Sequence, residues 1–79
     1  MTRSVYTEKE LALLVEAGAA REFLVQRSED GERWVLLVRR RMHWVPLRSK
    51  RENPRTWAKL DTLEAFTRKL GITSFQVES

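Results

Sequence analysis

The residues of this chain best equipped for chemistry are its arginines, and they are unevenly placed. Residues 39–59 read RRRMHWVPLRSKRENPRTWAK, with eight bases (Arg39, Arg40, Arg41, Arg48, Lys50, Arg51, Arg55, Lys59) against one acid, Glu52. That stretch carries +7 in a protein whose fifteen bases and eleven acids leave +4, so the remainder is net acidic. Six of the eight bases are arginine, whose planar fork suits bidentate contact with phosphate or guanine. A ridge of such groups displaces the counterions condensed on a nucleic-acid backbone. Arg39, Arg40, Arg41, Arg48, Lys50, Arg51 and Arg55 are therefore the candidate DNA contacts. An acidic protein partner would satisfy the same charges. The plainest reading is solubility, or protection of a sheet edge, which predicts mixed signs rather than eight to one.

The chemistry of an enzyme is missing. His43 is the single histidine, set between Met42 and Trp44 with no cysteine in the chain to join it at a metal. Asp61 and Glu64 resemble paired carboxylates, but their spacing at the head of a helix reads as a cap. Three isolated glycines cannot build a phosphate loop. We expect a non-enzymatic binding protein with no catalytic residue, metal or cofactor. The beginning of the sequence, MTRSVYTEKE, has no apolar leader, and no apolar run approaches membrane-spanning length, so a cytoplasmic protein without membrane contact is expected. Seventy-nine residues make one domain near the lower limit for a self-sufficient core. Homodimer formation is one route to bury more apolar surface.

Residues 1–6 read as a loose arm, with Val5 and Tyr6 able to pack. Thr7 and Glu10 have capping-box spacing, followed by a helix over 8–17 that stops at Gly18. Phe23 and Val25 alternate in a strand over 21–27, and Ser28-Glu29-Asp30-Gly31 is a hairpin turn. The next strand, 32–39, places Trp34, Leu36 and Val38 on one face and Arg33, Val35, Leu37 and Arg39 on the other. With apolar groups on both faces it should be central. Arg40-Arg41 turns into an edge strand over 42–49 that contains Pro46. A solvated loop over 50–54 precedes a short fourth strand at 55–58. Asp61 then caps a helix whose face is Leu63, Phe66, Thr67 and Leu70 and whose stop is Gly71. Phe75 and Val77 alternate in a closing strand.

The order is α-β-β-β-(β)-α-β, a single small α+β domain with a mainly antiparallel sheet and both helices on one face. If the helices take Phe23, Val25, Leu36 and Val38, then Val35, Leu37 and Trp44 lie uncovered as a candidate interface. Trp44 either stacks on a base or packs on that second face. A faint echo joins the two ends: each has a capped helix, a glycine, a short gap and an F-x-V strand. The general use of glycine between helix and strand explains it without duplication.

Two resemblances follow from these motifs. G-E-R-W-V at 31–35 with R-x-W-x-x-L-D-T-L-E-A-F at 55–66 resembles the AP2 and integrase arm-binding class. There a three-stranded sheet enters the major groove with a helix behind it. The chain departs from that class in the helix and strand before the sheet and the strand after the last helix. Over nearly its whole length the chain resembles the small ParC-type partition-associated proteins of bacterial plasmids and integrative elements. The match rests on E-A-G-A, on P-R-T-W-x-x-L-D-T-L-x-x-F-x-x-x-L-G-I-x-x-F-x-V at 54–77, and on the basic strand pair between them. That resemblance implies an accessory role in plasmid or mobile-element maintenance, and carries over no catalytic residue.

Overall fold

Local signals fix both ends of the first helix in the computed structural model, which describes residues 5–78. Thr7 is extended and its hydroxyl accepts the Glu10 N–H at 3.2 Å, while the Glu10 carboxylate accepts the Thr7 N–H at 2.9 Å. This reciprocal cap starts α1, Glu8–Glu16. At its far end Gly18 has φ +71°, the Gly18 N–H donates to Val15 and the Ala19 N–H to Leu14. Those two bonds make a Schellman stop, which needs a residue without Cβ at its left-handed position. The second helix, α2 (Leu60–Lys69), ends identically: Gly71 at φ +89° donates to Arg68, and Ile72 to Thr67.

The start of α2 differs from the sequence expectation. Asp61 is not the cap; it lies inside the first turn, and extended Lys59 holds the N-cap position without a side-chain bond. Glu64 does not reach back either, but pairs with Arg68 one turn on. Burial of Leu60 against the core draws it into the helix and moves the start ahead of the better capping residue.

The three central strands are β1 (Phe23–Arg27), β2 (Trp34–Arg40) and β3 (His43–Pro46), with β4 (Gln76–Glu78) last in the chain. Their spatial order is β3-β2-β1-β4, so β2 is interior and β3 is an edge, as its two-faced and proline-containing sequences require. The β1–β2 and β2–β3 pairs are antiparallel, and β4 joins β1 in parallel. The expected strand over 42–49 is cut to four residues. Beyond Pro46 the chain is met by Tyr6, whose N–H donates to the Pro46 carbonyl at 3.0 Å. Tyr6 is thus buried and bridged to Leu47, not part of a loose arm; residues 1–4 lie outside the described residues. The expected fourth strand at 55–58 is a single bridge, in which Trp57 and Trp34 exchange bonds of 2.8 and 2.9 Å.

One core joins these parts. Leu11 of α1 and Leu63 and Phe66 of α2 pack with Phe23, Val25, Leu36 and Val38, which places both helices on the same sheet face. The echo in the sequence has a counterpart in space: Val25 and Val77 are partners in the β1–β4 ladder, so the two F-x-V segments lie in register. Two helix–Schellman–strand units sit side by side, with the β2–β3 hairpin added at the far edge of β1.

Candidate nucleic-acid interface

The basic residues fall into two groups separated by the length of β3. The first group is at the tip of the β2–β3 hairpin. The ladder closes with Arg40 opposite His43, leaving Arg41 and Met42 as a two-residue turn. The turn is one residue later than Arg40-Arg41. Arg41 has φ 59°, the one positive value at a non-glycine position among the described residues. Arg39 Nε donates to the Arg41 carbonyl at 3.1 Å, and its Nη1 meets Glu22 at 3.1 Å. Arg40 points to the other face and donates to the Ala19 carbonyl. Arg39 and Arg40 therefore tie the hairpin to the segment between α1 and β1. That segment contributes Arg21, which with Glu22, Arg39, Arg40 and Arg41 lines a notch of about 310 Å³.

The second group is the loop over 48–54. Its geometry is set by Glu52, the single acid of the basic stretch. Thr56 donates to the Glu52 carboxylate through its hydroxyl at 2.7 Å and its amide at 3.4 Å, and the Ser49 N–H donates to the Glu52 carbonyl at 2.7 Å. The Thr56 hydroxyl and amide, with Arg33 and Arg55 nearby, hold the Glu52 carboxyl below the usual range. With its acid engaged by Thr56, the loop leaves Arg48, Lys50 and Arg51 exposed.

The seven candidate contacts are thus not equivalent. Arg41, Arg48, Lys50 and Arg51 are exposed, and their side chains make no hydrogen bond or ion pair with described residues. Arg39 and Arg40 hold the hairpin. Arg55 is half-buried: its guanidinium lies 4.7 Å from the rings of Trp57 and Phe66 and 3.4 Å from Glu8. It stitches the return segment to both helices.

The candidate interface residues Trp44, Val35 and Leu37 share the sheet face opposite the helices, as their alternation requires. Their exposure differs. Trp44 is 39% exposed, Leu37 is half-buried, and Val35 is closed to solvent at 9%. Met42, beside Trp44 at the hairpin tip, is 90% exposed.

Arg21 escaped the sequence reading because it lies far from the basic run in the chain. The signal was nonetheless available. Extending the β1–β2 register from Phe23–Val38 by two steps sets Arg21 opposite Arg40. Among the described residues no helix is long and apolar enough to cross a membrane. No protein-family model matches the chain, and comparison with curated proteins and with solved structures gives no match either.

Proposed function

We propose that this chain is a non-catalytic DNA-binding module, an accessory in the maintenance of a plasmid or other mobile element. One observation carries the DNA reading. Glu52 is engaged within its own loop, while the side chains of Arg41, Arg48, Lys50 and Arg51 stand exposed without a partner among the described residues. A side chain already paired in the protein must break that pair to meet phosphate; these four need not. The mechanism is counterion displacement by an arginine-rich flank that follows the β3 edge. The maintenance role rests on the resemblance carried by 54–77.

Fluorescence anisotropy with a short labelled duplex over a salt series tests the reading. Four phosphate contacts give a slope of log K against log salt of about −3.6. Arg48→Glu combined with Arg51→Glu should flatten that slope by about half. Arg55→Ala should lower the melting temperature and leave the slope in place. An absence of binding at low salt to duplex and single-stranded DNA alike overturns the DNA reading.

A second reading, an acidic protein partner, is favoured by Met42 and Trp44, apolar groups exposed within a basic rim. Co-purification of one stoichiometric protein, free of nucleic acid, would support it.

A further inference from the structure

We infer that the hairpin end of the open sheet face is a base-stacking site for single-stranded DNA, centred on Trp44. The inference rests on the DNA reading above and specifies which form of DNA the site takes.

The site is one row of residues running from β3 and β2 to the residues just ahead of β1 and β4. Trp44 of β3 stands opposite Arg39 of β2. The Arg39 N–H donates to the Glu22 carbonyl at 3.0 Å, which continues the row to the start of β1. Counting back two residues from the Leu24–Gln76 pair brings Ser74 beside Glu22. These residues, with Arg21, Phe75 and Gln76, bound a cavity of about 500 Å³. That volume falls within the range of sites that hold small organic ligands.

Each part has a use toward an unpaired nucleotide. Trp34 and Trp57 are buried, so Trp44 is the indole whose face a base can reach. Arg39 lies 5.9 Å from the Trp44 ring, near enough to reinforce a stacked base by cation–π attraction. Glu22, Ser74 and Gln76 supply acceptors and donors for a base edge. Arg39 is held by Glu22 in an ion pair exposed on both sides, at 49% and 60%. Such pairs contribute little, so holding Glu22 does not keep the Arg39 guanidinium from settling over a stacked base. Arg41 and Arg21 then flank the backbone on either side of the stacked nucleotide. A duplex hides its base faces, which is why this geometry selects a single strand. Stacking is indifferent to base identity because every base has a π-face.

The test titrates the full chain with a labelled oligothymidylate and, separately, with a duplex of equal length at the same salt. Tryptophan emission and anisotropy are read together. The expected result is tighter binding of the oligothymidylate, with quenching. Trp44→Ala should weaken it roughly 5- to 150-fold without changing the salt slope, and Trp44→Phe should restore most of the loss. Equal affinity for the two DNAs, or an equal response of both to Trp44→Ala, overturns the stacking site and leaves the DNA reading standing. Failure of both DNAs to bind at low salt overturns both. Binding of an acidic peptide in place of either DNA, lost in Trp44→Ala, overturns both in favour of a protein partner.

Discussion

Replacing Arg41 by glycine should make this protein more stable and, if the proposed DNA reading holds, a weaker DNA binder at once. Arg41 is the first central residue of a two-residue hairpin turn, with φ 59°, while Met42 stays on the negative side. Those φ signs are the ones a type II′ turn requires, and its first position favours glycine. An L-residue forced to positive φ costs about 1–2 kcal/mol. Glycine removes that cost but gives the unfolded chain extra freedom worth roughly 0.5–1 kcal/mol. Arg41 has no partner among the described side chains, and Arg39 grips its carbonyl, which the substitution keeps. The difference is a gain of about 0.7 kcal/mol, or a rise in Tm of about 3–5 °C for a domain of this size. On the proposed DNA reading the same change deletes one phosphate contact, so the salt slope should flatten by about 0.9. Arg41→Ala separates the effects, because it loses the charge and keeps the positive φ: the slope flattens equally and Tm does not rise. Thermal unfolding followed by circular dichroism, with anisotropy over a salt series, measures both quantities. A lower Tm for Arg41→Gly would refute the reasoning, since it would mean the arginine holds the turn by a contact. An unchanged slope would remove Arg41 from the interface.

The other predictions concern the loop and the second helix. The Glu52 carboxyl lies below its ordinary value of 4.5 because the Thr56 hydroxyl and amide donate to it. A carboxyl depressed in the folded state contributes stability above its unfolded pKa, and that stability is lost as pH falls through the folded value. Urea midpoints of the native protein and Glu52→Gln should therefore differ at neutral pH and converge as acid is added below about pH 4.5. Asp30, depressed chiefly by the Ser28 hydroxyl, leaves a residual acid slope in both proteins; parallel curves would mean that Glu52 does not fix the loop. At the start of α2, Lys59→Ser supplies the missing cap to a residue already extended, and should stabilise by about 1 kcal/mol. No rise in Tm would place the true N-cap elsewhere.

How far the sequence reaches here depends on whether a feature is settled locally. The Thr7–Glu10 cap, the turn before Gly31, and the stops at Gly18 and Gly71 each involve bonds spanning five residues or fewer, so composition and spacing suffice. The core face of α2 follows from its period, and Leu63, Phe66 and Thr67 are buried together as that period requires. Features decided by distant partners were less legible. Asp61 has the better capping chemistry, but Leu60 is needed in the core and the helix begins there. The third strand stops at Pro46 because Tyr6, forty residues earlier, completes the edge. The F-x-V segments announced two strands without stating that they run parallel and in register. Arg21 lay within reach of the hairpin register, but only once β1 and β2 were aligned residue by residue.

The charge run itself shows why a linear count overstates an interface. A small core without disulfides draws on the arginine fork as a structural brace. Arg33 bonds Thr56, Arg39 and Arg40 hold the hairpin, and Arg55 spans two rings and a carboxylate. Subtracting the braces leaves four candidate contacts of the original seven, and the difference is measurable. Four contacts predict a salt slope of about −3.6, and seven predict about −6.3. A measured slope near the larger figure would mean that DNA pulls Arg39, Arg40 and Arg55 off their protein partners. Binding would then loosen the hairpin and the Trp57 return segment, and amide exchange at Trp34 and Trp57 should quicken in the complex. A slope near the smaller figure leaves those amides protected. The bracing arginines and the binding arginines would then be two separate sets within one run.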